Sequence, residues 1–336
     1  MFDRAALDRA VENGLVTEES RERIIRYVAR LERNRIPVLF NLRHVRKVFC
    51  INRKEQDLFF GKHRSELYRE FEIPKKSGGM RKIQAPTEEL KAIQRWIKDQ
   101  ILDQFSLSQY ATGFKKGCSI VDNARKHVGK ELVINLDLKN FFPSIHYAEV
   151  VKVFSYMGYR RDVAHLLTRL CTNGNNALPQ GSPASPALSN LVSLRLDERL
   201  GRLAESLDAS YTRYADDITF SGSKSLRTVV PLIREIIQEE GFIINEDKVR
   251  LQYAHQRQEV TGLIVNERIS VAPRVRKELD TAIYYCNKYG VSNHMAHIGC
   301  DKCFYKEHLY GIAYFIKMVD LEKGTIYLDK LDRIEW

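Results

Sequence analysis

The spacing of apolar and polar positions changes along the chain, and the changes mark its elements. Residues 1 to 35 read as helical. From Glu19 to Arg35 they carry Arg23, Arg26, Arg30 and Arg33 three or four apart, the spacing of a solvated helix face. Pro37 ends this helix, and a second helical stretch runs from about Leu42 to Phe60, where Gly61 breaks it. Residues 65 to 85 read as a hairpin turning at Ser77-Gly78-Gly79, with Lys75, Lys76, Arg81 and Lys82 around the turn. Further helices are predicted over Thr87 to about Phe105, Ala148 to Cys171, Ala187 to about Leu207, and Arg227 to Gly241. Pro273 starts another that ends near Gly290, and a final helix covers Lys306 to Met318. Past Val271 the pattern suggests a separate small helical domain.

Two stretches break the helical rhythm and carry acids. The apolar run Leu132 to Leu138 predicts a buried strand that delivers Asp137 at its end. Downstream, Tyr211 to Tyr214 and Ile218 to Phe220 predict two hairpin arms with Asp216 and Asp217 at the turn. Side chains alternate along a regular strand, so adjacent acids serve one site only where the chain turns. Three carboxylates from two strand ends form a hard, oxygen-rich site for two divalent ions about 3.5–4 Å apart, the arrangement of two-metal nucleotidyl transfer. Without metal, the three charges raise one another's pKa values.

Composition narrows the partners. The 336 residues carry 54 Lys and Arg against 43 Asp and Glu, a net charge of +11. Nucleic acid and an anionic membrane surface are the polyanions that fit. No basic helix with a strong apolar face stands out, so nucleic acid is favoured. No apolar run approaches a membrane span, and the N-terminus lacks a signal-peptide pattern. Six scattered cysteines argue against a disulfide framework and for a reducing cytoplasm.

Between the acidic motifs, Leu178-Pro179-Gln180-Gly181 opens a Ser/Pro-rich loop that leads into a helix and presents backbone N–H groups to a ligand. In order, the Asp137 strand, this loop, Tyr214-Ala215-Asp216-Asp217 and the stretch Gly241 to Lys248 resemble the motifs of reverse transcriptases, over about residues 65 to 265. Asn123-Ala124-Arg125-Lys126-His127 is similar to the retron Asn-Ala-x-x-His signature, and Val260-Thr261-Gly262 to its Val-Thr-Gly signature. The best resemblance is therefore to bacterial retron reverse transcriptases.

That resemblance implies an α+β right-hand polymerase: an N-terminal helical region (1–62), fingers and palm (63–265) and a small helical, RNA-binding thumb (266–336). It implies RNA-directed DNA polymerase activity with two Mg2+ ions, Mn2+ substituting, held by Asp137, Asp216, Asp217 and the Leu138 carbonyl. Arg81, Phe142, Gln180 and Lys248 match residues around the deoxynucleoside triphosphate, with Phe142 as the gate against a 2′-OH and Lys248 facing the leaving pyrophosphate. Either Phe141 or Phe142 is expected to be simple core. The implied partner is a cognate noncoding RNA (msr–msd), primed from an internal 2′-OH to give branched msDNA in antiphage defence with a separate effector protein. RNA contacts are expected from Asn123, His127, Arg274, Arg276 and Lys277. The stretch after Asp217 is filled by these motifs, so template removal is expected from a cellular RNase H.

Alternatives remain at this level: a group II intron or other retroelement enzyme, or an RNA-binding scaffold for an effector. His294, His297, Cys300 and Cys303 stand three apart, closer than usual zinc pairs. Tyr284, Tyr285, Tyr289 and Tyr310 offer stacking faces, with half or more expected in the core.

Overall fold

Side-chain caps set many of the helix boundaries in the first of two compact units, which holds Met1–Lys115, Leu138–Glu198 and Ile237–Ile243. The computed structural model describes residues 2–74, 78–299 and 303–336; Lys75, Lys76 and Ser77 of the expected hairpin turn, and Cys300, lie outside the described residues. Asp3 and Thr17 cap the helices Arg4–Glu12 and Glu18–Arg33. The second buries Tyr27, Val28 and Leu31 and leaves Arg23, Arg26, Arg30 and Arg33 exposed, with Arg23 and Arg26 each 3.9 Å from a glutamate four residues earlier. That stripe is a solvated face.

Three expected long helices are each divided. Leu42–Val48 and Gln56–Phe60 are separate because the Asn52 side chain accepts from the backbone N–H groups of Lys54 and Glu55, both at 2.9 Å, and turns the chain between them. Tyr147–Tyr156 and Arg161–Cys171 are separated at Gly158, whose φ of +108° no other residue adopts readily. Ser185–Val192 and Leu194–Ser206 break at Ser193. The hairpin is as expected, β1 (Tyr68–Pro74) antiparallel to β2 (Met80–Pro86).

The second unit holds Lys116–Asp137, Arg199–Ile236 and Ile244–Trp336. Its main sheet is built from β3 (Leu132–Asp137), β4 (Ser210–Tyr214), β5 (Asp217–Gly222) and β6 (Arg250–Tyr253), all antiparallel in the order β4-β5-β3-β6. Alternation gives it two unlike faces. Leu132, Ile134, Leu136, Ile218, Phe220 and Tyr211 share a buried apolar face, while Asp137, Asn135, Asp217, Thr219, Ser221 and Thr212 share the other. The strand expected to be apolar throughout is thus two-faced.

A smaller sheet follows: β7 (Glu259–Val260), β8 (Leu263–Ile264) and β9 (Ser270–Val271). Thr261 and Gly262 join β7 to β8, both with positive φ (+46° and +83°), the backbone of a tight hairpin turn. Helix Pro273–Tyr289 starts at proline and ends at Gly290, as expected. Val291–His297, Tyr305–Val319 and Leu321–Asp332 complete the unit. Leu279, Ile283, Leu309, Ile316 and Leu331 share one core with Val260, Leu263 and Val271, and with Val133 of β3.

Met318 is therefore not the end of the last helix. A single residue, Asp320, caps Leu321–Asp332 through the Lys323 N–H at 3.1 Å, so no turn signal marks the boundary. Within that helix Gly324 packs backbone to backbone: an added Cβ would lie 2.1 Å from Lys317 Cα. Alanine gains about 1 kcal/mol of helix propensity over glycine. Overpacking typically costs about 1–3 kcal/mol, and a backbone obstacle cannot rotate away. Gly324→Ala should therefore lower the melting temperature; an unchanged or higher value in thermal unfolding would contradict this packing.

Candidate active site

Strand register brings the acids together. Asp137 ends β3 directly opposite Asp217, the first residue of β5, so both side chains leave the same face of the sheet. Tyr214 pairs with Asp217, which leaves Ala215 and Asp216 as the two-residue turn of the β4–β5 hairpin. The expectation that both adjacent acids occupy the turn holds for Asp216 alone. Ala215 takes a left-handed φ of +59°, and the buried Arg213 guanidinium donates to its carbonyl at 3.1 Å. Nothing in the sequence marks Arg213 as the residue that holds this turn.

The charges are incompletely balanced. Asp217 is exposed at its surface, but partial loss of water around its carboxyl, then the negative charges of Asp216 and Asp137, push it up to about 7, against the opposing pull of Lys248 and Arg250. Both oxygens of Asp137 are engaged: Lys248 Nζ lies 2.8 Å from Oδ2 and Asn245 Nδ2 donates to Oδ1 at 3.2 Å. The Asn245 N–H also donates to the Asp137 carbonyl at 2.8 Å, which fixes the Lys248 turn beside the strand end.

This donor set fits a divalent cation: hard carboxylate oxygens from paired strands, with too little positive charge beside them. Among the described residues no three His, Cys, Asp or Glu side chains are grouped as they would be around a metal ion. Lys248 supplies the positive charge beside Asp137 in this arrangement, and a cation ligated there would replace it.

The candidate nucleotide contacts of the first unit lie on segments linked by backbone hydrogen bonds. After the buried Leu138, Lys139 N–H donates to the Ile243 carbonyl at 2.7 Å, and Asn140 at φ +51° turns the chain into the short helix Phe141–Ser144. Phe141 is buried against Phe242, whereas Phe142 is half-buried beside Phe114 at 6.0 Å. One of the pair is core, and it is Phe141. Ile145 then accepts from Leu178 N–H at 3.0 Å, and Gln180 accepts from Gln84 N–H of β2 at 2.8 Å. Gln180 is half-buried, and Arg81 is exposed on β2 opposite Ile73.

Two expected RNA contacts are corrected. Asn123 and His127 are 1% and 0% exposed and so cannot touch RNA in this arrangement. The His127 ring bonds Ser221 Oγ and Thr212 Oγ1, each at 2.7 Å, and burial pushes its pKa down to about 3, so it stays neutral. Asn123 Nδ2 donates to Thr261 Oγ1 at 3.4 Å. The two short signatures meet and support the acid-bearing sheet. Arg274 and Lys277 are exposed, and Arg276 is half-buried with its Nε lacking a partner.

The tyrosines depart from expectation in the other direction: Tyr284, Tyr285 and Tyr289 are exposed and Tyr310 half-buried. His294 is buried, bonded to Tyr305 Oη at 3.0 Å and stacked on Tyr285, an aromatic role that leaves zinc no support among the described residues.

Comparison with known proteins identifies the family. Residues 73–266 match the family model "Reverse transcriptase (RNA-dependent DNA polymerase)". The chain is 35% identical over 314 residues to the Retron Ec86 reverse transcriptase of Escherichia coli, covering 90% of this chain and 93% of that protein. It is 36% identical over 283 residues to the Retron Mx65 reverse transcriptase of Myxococcus xanthus, covering 78% of this chain but 64% of that longer relative. A telomerase structure from Candida albicans aligns with a TM-score of 0.47 at 13% identity, over 77% of this chain and 58% of that one. The chain belongs to the retron reverse transcriptases. It is an RNA-directed DNA polymerase of the α+β right-hand class, a family that works with a divalent metal.

The raised Asp217 pKa has a measurable consequence. A carboxyl that binds its proton more tightly when folded stabilises the fold at acid pH, and this contribution is lost as pH rises through about 7. In chelator, the melting temperature of the wild type relative to Asp217→Asn should fall between about pH 5 and about pH 8. Magnesium added at the higher pH should raise the wild type and not the variant. A difference flat in pH and indifferent to magnesium would remove the charge cluster described here.

Proposed function

We propose that this enzyme copies its own structured noncoding RNA, starting from an internal 2′-OH, and so makes a branched RNA–DNA molecule that serves antiphage defence with a separate effector protein. The observation that carries the catalytic part of this reading is the register that sets Asp137 opposite Asp217. Its identity to retron enzymes over most of the chain supports the choice of template and product.

On this reading Asp137, Asp216, Asp217 and the Leu138 carbonyl hold two magnesium ions, for which manganese substitutes. When bound, magnesium supplies the positive charge that acidifies an attacking hydroxyl and offsets the charge of the leaving pyrophosphate. Lys248, released from Asp137, faces that pyrophosphate and carries a proton to it. Arg81 binds the triphosphate, Gln180 contacts the nucleotide, and the Phe142 ring stands where a 2′-OH would clash, which favours deoxynucleotides.

Residues 63–265 act as fingers and palm, 1–62 as an N-terminal helical region, and 266–336 as an RNA-binding thumb. There Arg274 and Lys277, with Arg276 behind them, meet phosphates, and the exposed tyrosines stack on bases. A cellular RNase H removes the template. No helix among the described residues is long and apolar enough to cross a membrane, and we place the enzyme in the cytoplasm.

Sequencing the DNA that copurifies with the protein tests the product: a branched RNA–DNA hybrid is expected, and unbranched DNA alone would refute the 2′-OH start. Asp217→Asn keeps the size of the side chain and removes its charge. Primer extension should fall more than about 100-fold while RNA binding survives, and near-normal extension would sink the metal assignment. Phe142→Ala should raise kcat/KM for ribonucleotides relative to deoxynucleotides. An unchanged ratio would pass the gate to another residue.

A further inference from the structure

Gln84 in β2 plays no part in the mechanism above, yet it bonds β1 and two points of one loop of the first unit. Its backbone N–H donates to the Gln180 carbonyl at 2.8 Å. Its side-chain Oε1 accepts from Asn173 Nδ2 at 2.7 Å, and its Nε2 donates to Glu70 Oε1 of β1 at 2.6 Å. The network fixes which way the amide points. Asn173 Oδ1 is already used by the N–H groups of Asn175 and Ala177, at 3.0 and 3.1 Å, so Asn173 has only its amino group to offer Gln84. Gln84 must then present its oxygen to Asn173 and its amino group to the Glu70 carboxylate, which can only accept.

Asn173 and Gln180 lie near the two ends of the loop between helix Arg161–Cys171 and helix Ser185–Val192. Gln84 therefore anchors that loop at two points. At the second, Gly181 comes so close to β2 that an added Cβ would lie 2.7 Å from the Gln84 carbonyl oxygen, and its φ of +136° suits glycine. Ser185 Oγ holds the far side by donating to the Pro179 carbonyl at 2.8 Å. The loop that carries Gln180 and the hairpin that carries Arg81 thus have little freedom to move apart.

We propose that Gln84 is a positioning residue for the incoming deoxynucleotide, setting the Arg81 hairpin and the Gln180 loop in one register so that the triphosphate and the rest of the nucleotide are met together. The proposal rests on the reading that Arg81 and Gln180 contact the nucleotide. Gln84 touches no reacting atom. Its effect falls on nucleotide capture and leaves the metal-bearing carboxylates alone.

The test is steady-state extension of a DNA primer annealed to a defined RNA template, with the full chain. Gln84→Glu still accepts from Asn173 but cannot donate to Glu70 and places a second negative charge beside it. KM for the deoxynucleotide should rise roughly tenfold, with kcat within about twofold and the primer–template KM unchanged. The double variant Glu70→Gln/Gln84→Glu restores a donor–acceptor pair of reversed polarity and should recover most of the loss. A lower melting temperature and kcat with an unmoved deoxynucleotide KM would mean a merely structural link and overturn the proposal, as would failure of the double variant to recover. Arg81→Ala and Gln180→Ala separate the two ideas. If they raise the nucleotide KM and Gln84→Glu does not, the positioning role alone fails. If neither raises it, the nucleotide-contact reading fails and the positioning role with it.

Discussion

Like charges placed directly opposite on paired strands repel, yet the antiparallel pairing of β3 with β5 puts Asp137 opposite Asp217. Much of the second unit can be understood as holding that pair in place. Lys248 and Asn245 occupy both oxygens of Asp137, while loss of water around Asp217, with the charges of Asp216 and Asp137, raises its carboxyl to about 7. A carboxylate pair left this short of positive charge has electrostatic reason to take up a divalent cation. The same unmet charge that weakens the sheet would, on the proposed reading, favour a bound cation.

A sheet that carries such a pair needs support beneath it, and the support is polar. Along the face that bears the acids, Asn135 accepts from Thr219 at 3.1 Å and donates both to Gln252 and to the Glu259 carbonyl of β7. Further back, neutral His127 bonds one hydroxyl from each arm of the β4–β5 hairpin. Buried polar groups of this kind are costly unless each is partnered, and here each of these side chains has a partner. The result is a layer with fixed partners, which specifies one register where an apolar layer would tolerate slippage. A one-residue slip would move Asp137 to the opposite, apolar face.

The sequence was legible where local rules and tertiary structure agree. Asp137, the β1–β2 and β4–β5 hairpins and the Pro273–Tyr289 helix all appear where alternation, turn chemistry and capping put them. It was less legible where one side chain decides. The Asx turn at Asn52 splits a helix, Asp320 starts another without glycine or proline, and Gly324 looks unfavourable until its contact with Lys317 is seen. Function followed the same division. The acids stand out because an adjacent pair between two strand-like arms and a third acid at the end of an apolar run are visible in the sequence itself. Arg213 and Gln84 do not, because their work consists of hydrogen bonds to residues distant in the chain or to the backbone, and no spacing rule reports those.

Burial of Asn123 and His127 also separates two tasks that their motif had merged. A side chain enclosed by its own protein, with both ring nitrogens bonded to it, cannot distinguish one RNA from another by contact. On the proposed reading, discrimination then falls to the exposed helix Pro273–Tyr289, where Lys288 lies over the rings of both Tyr284 and Tyr289. Phosphate contacts are strong but indifferent to sequence, and salt weakens them; stacking is insensitive to salt and depends on a base being free to stack. A phosphate that drew Lys288 away would uncover two aromatic faces at once. On that reading cation and ring would be coupled, and an RNA presenting a phosphate without an unstacked base beside it would engage the lysine and leave the rings unused.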